Sequence, residues 1–391
     1  MPFTTIVNIV LALFDGCCFC ASRQPPEWSR LFGVVTAVLR SMAYNLAWNV
    51  RFMRLLTDHN IPTWLPTLPR GLRLAYRRSG GPESCPVPGE WTFSRSSTTG
   101  LPWVTPPRRV VLYFHGGAFA LCTPGTHRGV IMRLVTAARA GHGAGHGADG
   151  ADEWVAFAVD YRRPPEHPHP APVEDCVAAY RWLLGHMGGG PAAAARIVFA
   201  GDSAGGALVV AAMDALRRAT PEPLPQPAGG ILLSPWVDLE DTSSESWRTN
   251  VATDFLPPGL ARQLARCYVM GAEQGQQQQE TVVADRLRDF SATNLDLAGL
   301  PPLHIMCGAA ECLRDQVLVF AEKARTAGVD VQISVEPGMV HVFVVLANVA
   351  RAGSAERWFG GMAEFLRKVV PGGVEAGPGR GAVAAARGAA V

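Results

Sequence analysis

The chain has 391 residues, 48% of them apolar and 17% charged, enough to bury one large core with a smaller appendage. Its formal net charge is +2 and its basic residues are scattered, which argues against nucleic acid or an anionic polymer as a partner. The nine cysteines are odd in number, and the later ones form no C-x-x-C pair, so a reduced interior without zinc or a redox dithiol is the simpler expectation.

At the N-terminus an apolar run from Phe3 to Phe14 is followed by Cys17, Cys18 and Cys20. It is short for a membrane span, which needs roughly 20 residues. No Lys or Arg precedes it, as a secretory leader would require. No Asn-x-Ser/Thr sequon follows to suggest a secretory route. Two readings remain ahead of secretion, a helix covering the active site and a segment lying on a membrane surface with acylated cysteines. The expected location is therefore cytoplasmic or peripheral to a membrane.

Leu72 to Arg78 and Glu90 to Ser94 read as antiparallel edge strands. From Arg108 onward short β-branched runs alternate with helical patterns, the signature of a mostly parallel sheet flanked by helices. Strands are expected at Arg109 to Phe114, Trp154 to Asp160, Arg196 to Ala200, Gly230 to Leu233, Leu303 to Cys307 and Val329 to Val335. Helices are expected near Thr126 to Ala140, Ala171 to His186, Ala204 to Ala219, Leu313 to Ala327 and Ser354 to Val369. Residues 1–68 and an insertion at about 238–298 break this alternation and are assigned to a helical cap. The catalytic domain then spans 69–370, and a Gly/Ala-rich tail at 371–391 is expected to be disordered. His142 and His146 sit in a Gly/Ala tract whose glycines cannot hold metal ligands in place, so the tract reads as a low-complexity loop.

The run Ile197 to Ala200 leads directly into Gly201-Asp202-Ser203-Ala204-Gly205 and then into a helical pattern. A serine on such a strand-to-helix turn is held in a strained conformation, with small neighbours, and its Oγ projects beyond the carboxyl end of the sheet. Ser203 is the candidate nucleophile. The strand Val110 to Phe114 ends in His115-Gly116-Gly117-Ala118, where a backbone rich in glycine can turn its N–H groups toward a carbonyl oxygen. Gly117, Ala118 and Ala204 are the candidate oxyanion donors. His115 is assigned a structural hydrogen bond that holds this loop, and Asp202 is placed with it as support for the site.

With these two motifs, the segments Asp160-Tyr161-Arg162-Arg163-Pro164-Pro165-Glu166-His167-Pro168-His169-Pro170-Ala171 and Ser234-Pro235-Trp236-Val237-Asp238-Leu239 make the chain resemble the hormone-sensitive lipase family of esterases. The resemblance runs from about Leu72 to Val369. It implies an α/β-hydrolase fold with a mostly parallel sheet, flanking helices and a helical cap. It also implies a triad in the order serine, acid, histidine. His341, after the last strand, is the candidate base, and Glu311 matches the family's catalytic acid position. Asp315, one helical turn further on, is the alternative acid, expected to cap or pair locally.

Three positions depart from the family pattern. Ala118 replaces the usual third glycine but keeps its N–H. Val342 stands where glycine usually follows the histidine, which would shift the loop or narrow the site. Glu311 replaces Asp. The resemblance implies hydrolysis of a small-molecule ester carrying a small to medium acyl or acetyl group, through an acyl-enzyme and without metal or organic cofactor. An acyltransferase, amidase or lactonase would use the same triad, and a small-molecule receptor could share the fold without turnover. The lining of the cap is open, with Trp28, Trp48, Phe52, Trp64, Trp247 and Phe255 as candidates, and a homodimer is left open.

Overall fold

A computed structural model describes residues 28–46, 50–60, 85–93, 102, 104–141, 154–271, 280–345 and 352–371. The expected strand at Leu72 to Arg78, the N-terminal apolar run, the His142/His146 tract, the glutamine run at 276–279 and the tail from Gly372 lie outside these residues.

Seven strands form one sheet in the order β1-β3-β2-β4-β5-β6-β7. They are β1 (Gly89–Thr92), β2 (Arg109–Phe114), β3 (Trp154–Val159), β4 (Ile197–Asp202), β5 (Gly229–Leu233), β6 (Leu303–Gly308) and β7 (Val331–Glu336). Only β1 runs antiparallel, pairing Gly89 with Val159 at the edge, while β2 pairs in parallel register with both β3 and β4. The central strands are apolar on both faces because both faces are covered. Every residue of β2, β3, β4, β5 and β6 is buried, whereas the edge strand β7 is half-exposed.

The period-two alternation divides each strand between two cores. Val110, Leu112 and Phe114 face one side with helices α4 (Ala171–His186), α5 (Ala204–Arg217) and α9 (Arg314–Thr326). Val111 and Tyr113 face the other side with α3 (Arg128–Gly141) and α10 (Ala352–Val369). Trp28 and Phe32 join this second core, their rings 5.0 Å apart and edge to face. The starts of α4 and α5 match their expected positions, and Glu174 in the first turn of α4 complements the helix dipole.

Outside the alternation lie α1 (Arg30–Leu46) and α2 (Val50–Asn60) near the N-terminus, and α6 (Glu245–Asn250), α7 (Pro258–Met270) and α8 (Glu280–Asp289) between β5 and β6. Among the described residues no helix is long and apolar enough to cross a membrane. The segments that follow β2, β4, β5, β6 and β7 all leave from the carboxyl end of the parallel sheet. That is where open α/β sheets gather their chemistry.

Candidate active site

Ser203 occupies the turn between β4 and α5 with φ 52° and ψ −120°, a conformation that favours glycine. Its N–H donates to Leu233 O at 2.8 Å, and its carbonyl accepts from Trp236 N at 2.9 Å and Gly206 N at 3.0 Å. Small residues are obligatory around it, since a Cβ on Gly201 would collide with Gly205 O and one on Gly205 with Phe114 O. The turn aims Ser203 Oγ at His341, whose Nε2 lies 2.9 Å away.

The loop after β2 is equally constrained. Gly117, Ala118 and Phe119 have φ of 104°, 51° and 63°. Left-handed conformations at residues other than glycine cost on the order of 1–3 kcal/mol each and persist only where the surroundings impose them. Asp202 supplies one such restraint, accepting from Gly116 N at 2.9 Å and from Tyr113 OH at 2.7 Å. Its other oxygen lies 3.2 Å from His127 Nε2. Burial opposes the charge on Asp202, yet His127, Tyr113 and the Gly116 N–H hold its carboxyl below the usual carboxylate range.

His115 is fully buried, stacked 4.2 Å from the Tyr161 ring, and its Nδ1 donates to Gly116 O at 2.8 Å. Tyr161 OH in turn donates to His115 O at 2.7 Å. Burial pushes the His115 imidazole down to about 3, so it stays neutral, and it is bonded to the loop and not to Ser203.

Glu311 and His341 come from the loops after β6 and β7. Glu311 is fully buried, and its Oε2 accepts from Ser234 Oγ at 2.6 Å and from Gly308 N at 2.9 Å. Ser234 Oγ also accepts from Val342 N at 3.1 Å, tying the acid to the residue after the histidine. Glu311 Oε1 and His341 Nδ1, both buried, have no hydrogen-bond partner among the described residues. The direct contact expected between the candidate acid and the candidate base is therefore not made here; catalytic hydrogen bonds are often long without substrate and tighten around it. Burial pushes the Glu311 carboxyl up to about 8, against the Ser234 and Gly308 bonds, and the His341 imidazole down to about 3. Asp315 is held elsewhere, 2.8 Å from the Arg314 guanidinium and accepting from Ser246 N at 2.7 Å.

Three side chains with no site role assigned from the sequence complete the arrangement. His127, at the start of α3, partners Asp202, and Ser234 had appeared only as part of a motif. Asp254, in the insertion between β5 and β6, is fully buried and accepts from Phe255 N at 2.8 Å, Cys312 N at 2.7 Å and His341 N at 3.3 Å. One carboxylate thus joins the residue after Glu311 to the backbone of His341. Nothing in the local sequence distinguishes Asp254 from a solvated acid in a loop.

Above Ser203 and His341 lies a cavity of about 240 Å³. Leu39, Met42 and Met53 from α1 and α2 line it, opposite Trp247, Phe255 and Leu264 from the insertion. Trp28 instead packs in the second core, with Nε1 donating to Gly338 O at 2.6 Å. Trp48, Trp64 and the Phe52 side chain lie outside the described residues. Val342, at φ 43°, also lines the cavity, so the residue in place of glycine adopts the conformation that glycine would and narrows the site. Among the described residues no group of three or more His, Cys, Asp or Glu is placed to hold a metal ion.

The family model for the α/β-hydrolase fold matches residues 111–345. An acetyl-hydrolase of Streptomyces hygroscopicus is 37% identical over 244 residues, covering 62% of this chain and 71% of the relative. A carboxylesterase of Mycobacterium tuberculosis is 34% identical over 261 residues, covering 66% of this chain and 73% of the relative. Among solved structures, an esterase from the bacterial hormone-sensitive lipase family superposes with a TM-score of 0.67 at 33% identity, covering 89% of this chain and 99% of that one. The chain belongs to the hormone-sensitive lipase family of α/β-hydrolases, and so to the carboxylesterase- and lipase-like hydrolases.

Proposed function

We propose that the protein is a serine carboxylester hydrolase that cleaves small to medium acyl or acetyl esters through an acyl-enzyme. The observation that carries this reading is the 2.9 Å contact between Ser203 Oγ and His341 Nε2 at the floor of an apolar cavity. His341 takes the Ser203 proton as Oγ attacks the ester carbonyl, and the N–H groups of Gly117, Ala118 and Ala204 receive the oxyanion. His341 then passes that proton to the leaving alcohol. A water deprotonated by the same imidazole releases the acid and restores Ser203. Glu311, through Oε1, accepts a hydrogen bond from His341 Nδ1–H and stabilises the imidazolium. Asp202 and His115 support the oxyanion loop, and Asp315 serves a local structural role. This chemistry needs no metal or organic cofactor.

The cavity lining contains no Lys or Arg among the described residues, which suits uncharged acyl and alcohol groups. Residues 1–68 and about 238–298 form the cap in this reading, supported by the cavity residues that both contribute. A peripheral membrane contact through Phe3 to Phe14 belongs to the same proposal, with the catalytic domain on the cytoplasmic side, and flotation with vesicles tests it.

The deciding experiment is hydrolysis of p-nitrophenyl esters from acetate to palmitate by the full chain and by Ser203→Ala. The parent is expected to prefer short to medium chains, and Ser203→Ala to lose a factor of roughly 10⁴ or more in kcat. Equal activity of the two proteins, or a parent that neither cleaves these esters nor reacts with a fluorophosphonate, would sink the proposal. A non-catalytic receptor corresponds to that second outcome. Acyl transfer would appear as a new ester when an alcohol is added, and amides or lactones in the same assay separate the remaining alternatives.

A further inference from the structure

The loop that follows β2 bears left-handed backbone at three residues other than glycine, Ala118, Phe119 and Cys122. Its first half is fixed from beneath, where Asp202 accepts from Gly116 N. Its second half, residues 120–122, is gripped from the side of α2. Arg54 Nε donates to Ala120 O at 2.6 Å, and Thr57 Oγ1 accepts from Cys122 N at 3.3 Å. Cys122 O accepts from Arg163 Nη1, and that same nitrogen donates to both oxygens of Asp58 at 3.1 Å. Arg54 also donates to Pro164 O and, at 2.6 Å, to Glu166.

Positions 54, 57 and 58 lie on one face of a helix, three and four residues apart. All three side chains reach the same short stretch of backbone, directly or through Arg163. The adjoining positions Met53 and Thr57 also line the cavity. One helix therefore meets both the cavity above Ser203 and the loop assigned to the oxyanion.

We propose that α2 is a clamp on the oxyanion loop, with Arg54, Thr57 and Asp58 as positioning residues for the Gly117 and Ala118 N–H groups. This rests on the reading that the loop receives the oxyanion. Oxyanion donors act only within about 2.7–3.1 Å of the developing charge, and a misplacement of about 1 Å can cost roughly a hundredfold in rate. Releasing the clamp should thus slow the chemical step more than it weakens substrate binding. A helix that merely docks on the domain would contribute stability alone.

The test compares Asp58→Asn, Thr57→Val and Thr57→Ser in the full chain, using p-nitrophenyl butyrate turnover, the rate of fluorophosphonate labelling and thermal melting. Asp58→Asn is expected to lower kcat and the labelling rate about 10- to 100-fold with KM changed less than about threefold. Thr57→Val, which removes one acceptor at constant size, should lower both rates about three- to tenfold, and Thr57→Ser should restore them. Unchanged kcat with a lower melting temperature, or a raised KM at constant kcat, overturns the clamp. If Asp58→Asn does not fold, the Thr57 pair decides by itself. A parent without turnover or label would instead refute the esterase reading, whereas an active parent with unaffected variants refutes only the clamp.

Discussion

The two halves of the active site are held by different means. Ser203 and the loop after β2 are closely packed, with Gly201 and Gly205 placed where a Cβ would strike a backbone atom and Gly116 where it would strike the Asp202 carboxylate. Glu311 and His341 sit on loops tied to one another by the Ala310 N–Met339 O bond at 2.9 Å and by the side chains of Ser234 and Asp254, while Ser246 and Asn250 from α6 hold the Glu311 loop. The Ser203 half is closed, its Oγ already 2.9 Å from His341 Nε2. The Glu311 half keeps two buried atoms without a partner among the described residues, Glu311 Oε1 and His341 Nδ1. A site can thus be rigid where the sheet dictates it and adjustable where the insertion does.

The largest effect should come from breaking the rigid half. Gly205→Ala places a Cβ against Phe114 O in a central strand, and no flexible side chain can give way. Loss of about 4 kcal/mol or more of stability is expected, seen as insoluble protein or a collapsed melting transition. A variant that melts like the parent would show that the elbow has slack.

In the other half, Glu311→Gln removes the charge while keeping the shape. The amide would donate toward His341 Nδ1 and favour the wrong imidazole tautomer, so kcat should fall by a factor of roughly 10³–10⁴. The same residue governs the pH profile. Burial raises the Glu311 carboxyl to about 8 and lowers His341 to about 3. Only the ionised Glu311 carboxylate stabilises the imidazolium, so kcat/KM should rise with pH through about 8 and not level off near 6.5. The Gln variant should lack that limb. A parent profile flat from pH 6.5 to 9 would show that Glu311 is already ionised in the working enzyme.

This contrast also explains what the sequence made legible. Gly201-Asp202-Ser203-Ala204-Gly205 and His115-Gly116-Gly117 are readable because strained turns admit few residue types, and the strands between them are readable because central parallel strands must be apolar on both faces. The edge strand expected at Glu90 to Ser94 lies within two residues of β1 at either end. Asp254 is unreadable, because two backbone N–H groups from distant loops, those of Cys312 and His341, converge on it only once the insertion has folded. His127 is silent for a similar reason, its partner lying 75 residues away. The roles of Arg54, Thr57 and Asp58 depend on where α2 lands, which periodicity does not state.

Asp254→Asn probes the adjustable half from its support. The carboxylate spreads three N–H bonds over two oxygens, with Cys312 N on one and Phe255 N and His341 N on the other. An amide can keep one oxygen's bonds but must oppose an N–H donor on the other side. A loss of about 1–3 kcal/mol of stability is expected, with kcat lowered about 10- to 100-fold as His341 drifts from Ser203. Normal kcat in a destabilised variant would mean that Ser234 and the Ala310–Met339 backbone bond suffice to keep the two loops in register.

The smallest expected effect is at Val342, where the adjustable half meets the substrate. A β-branched residue at φ 43° is strained, and glycine would relieve that strain. Glycine also gives up side-chain packing and gains freedom in the unfolded chain, worth about 0.5–1 kcal/mol in the opposite direction. Val342→Gly should therefore change stability by less than about 1 kcal/mol. Its effect should lie in selectivity, because the valine side chain lines the cavity beside His341. Removing it enlarges the space next to the acyl carbon, so the ratio of kcat/KM for bulky over acetyl esters should rise by about two- to tenfold. An unchanged ratio would place the limit on acyl size elsewhere, on the side of the cavity formed by Trp247 and Phe255.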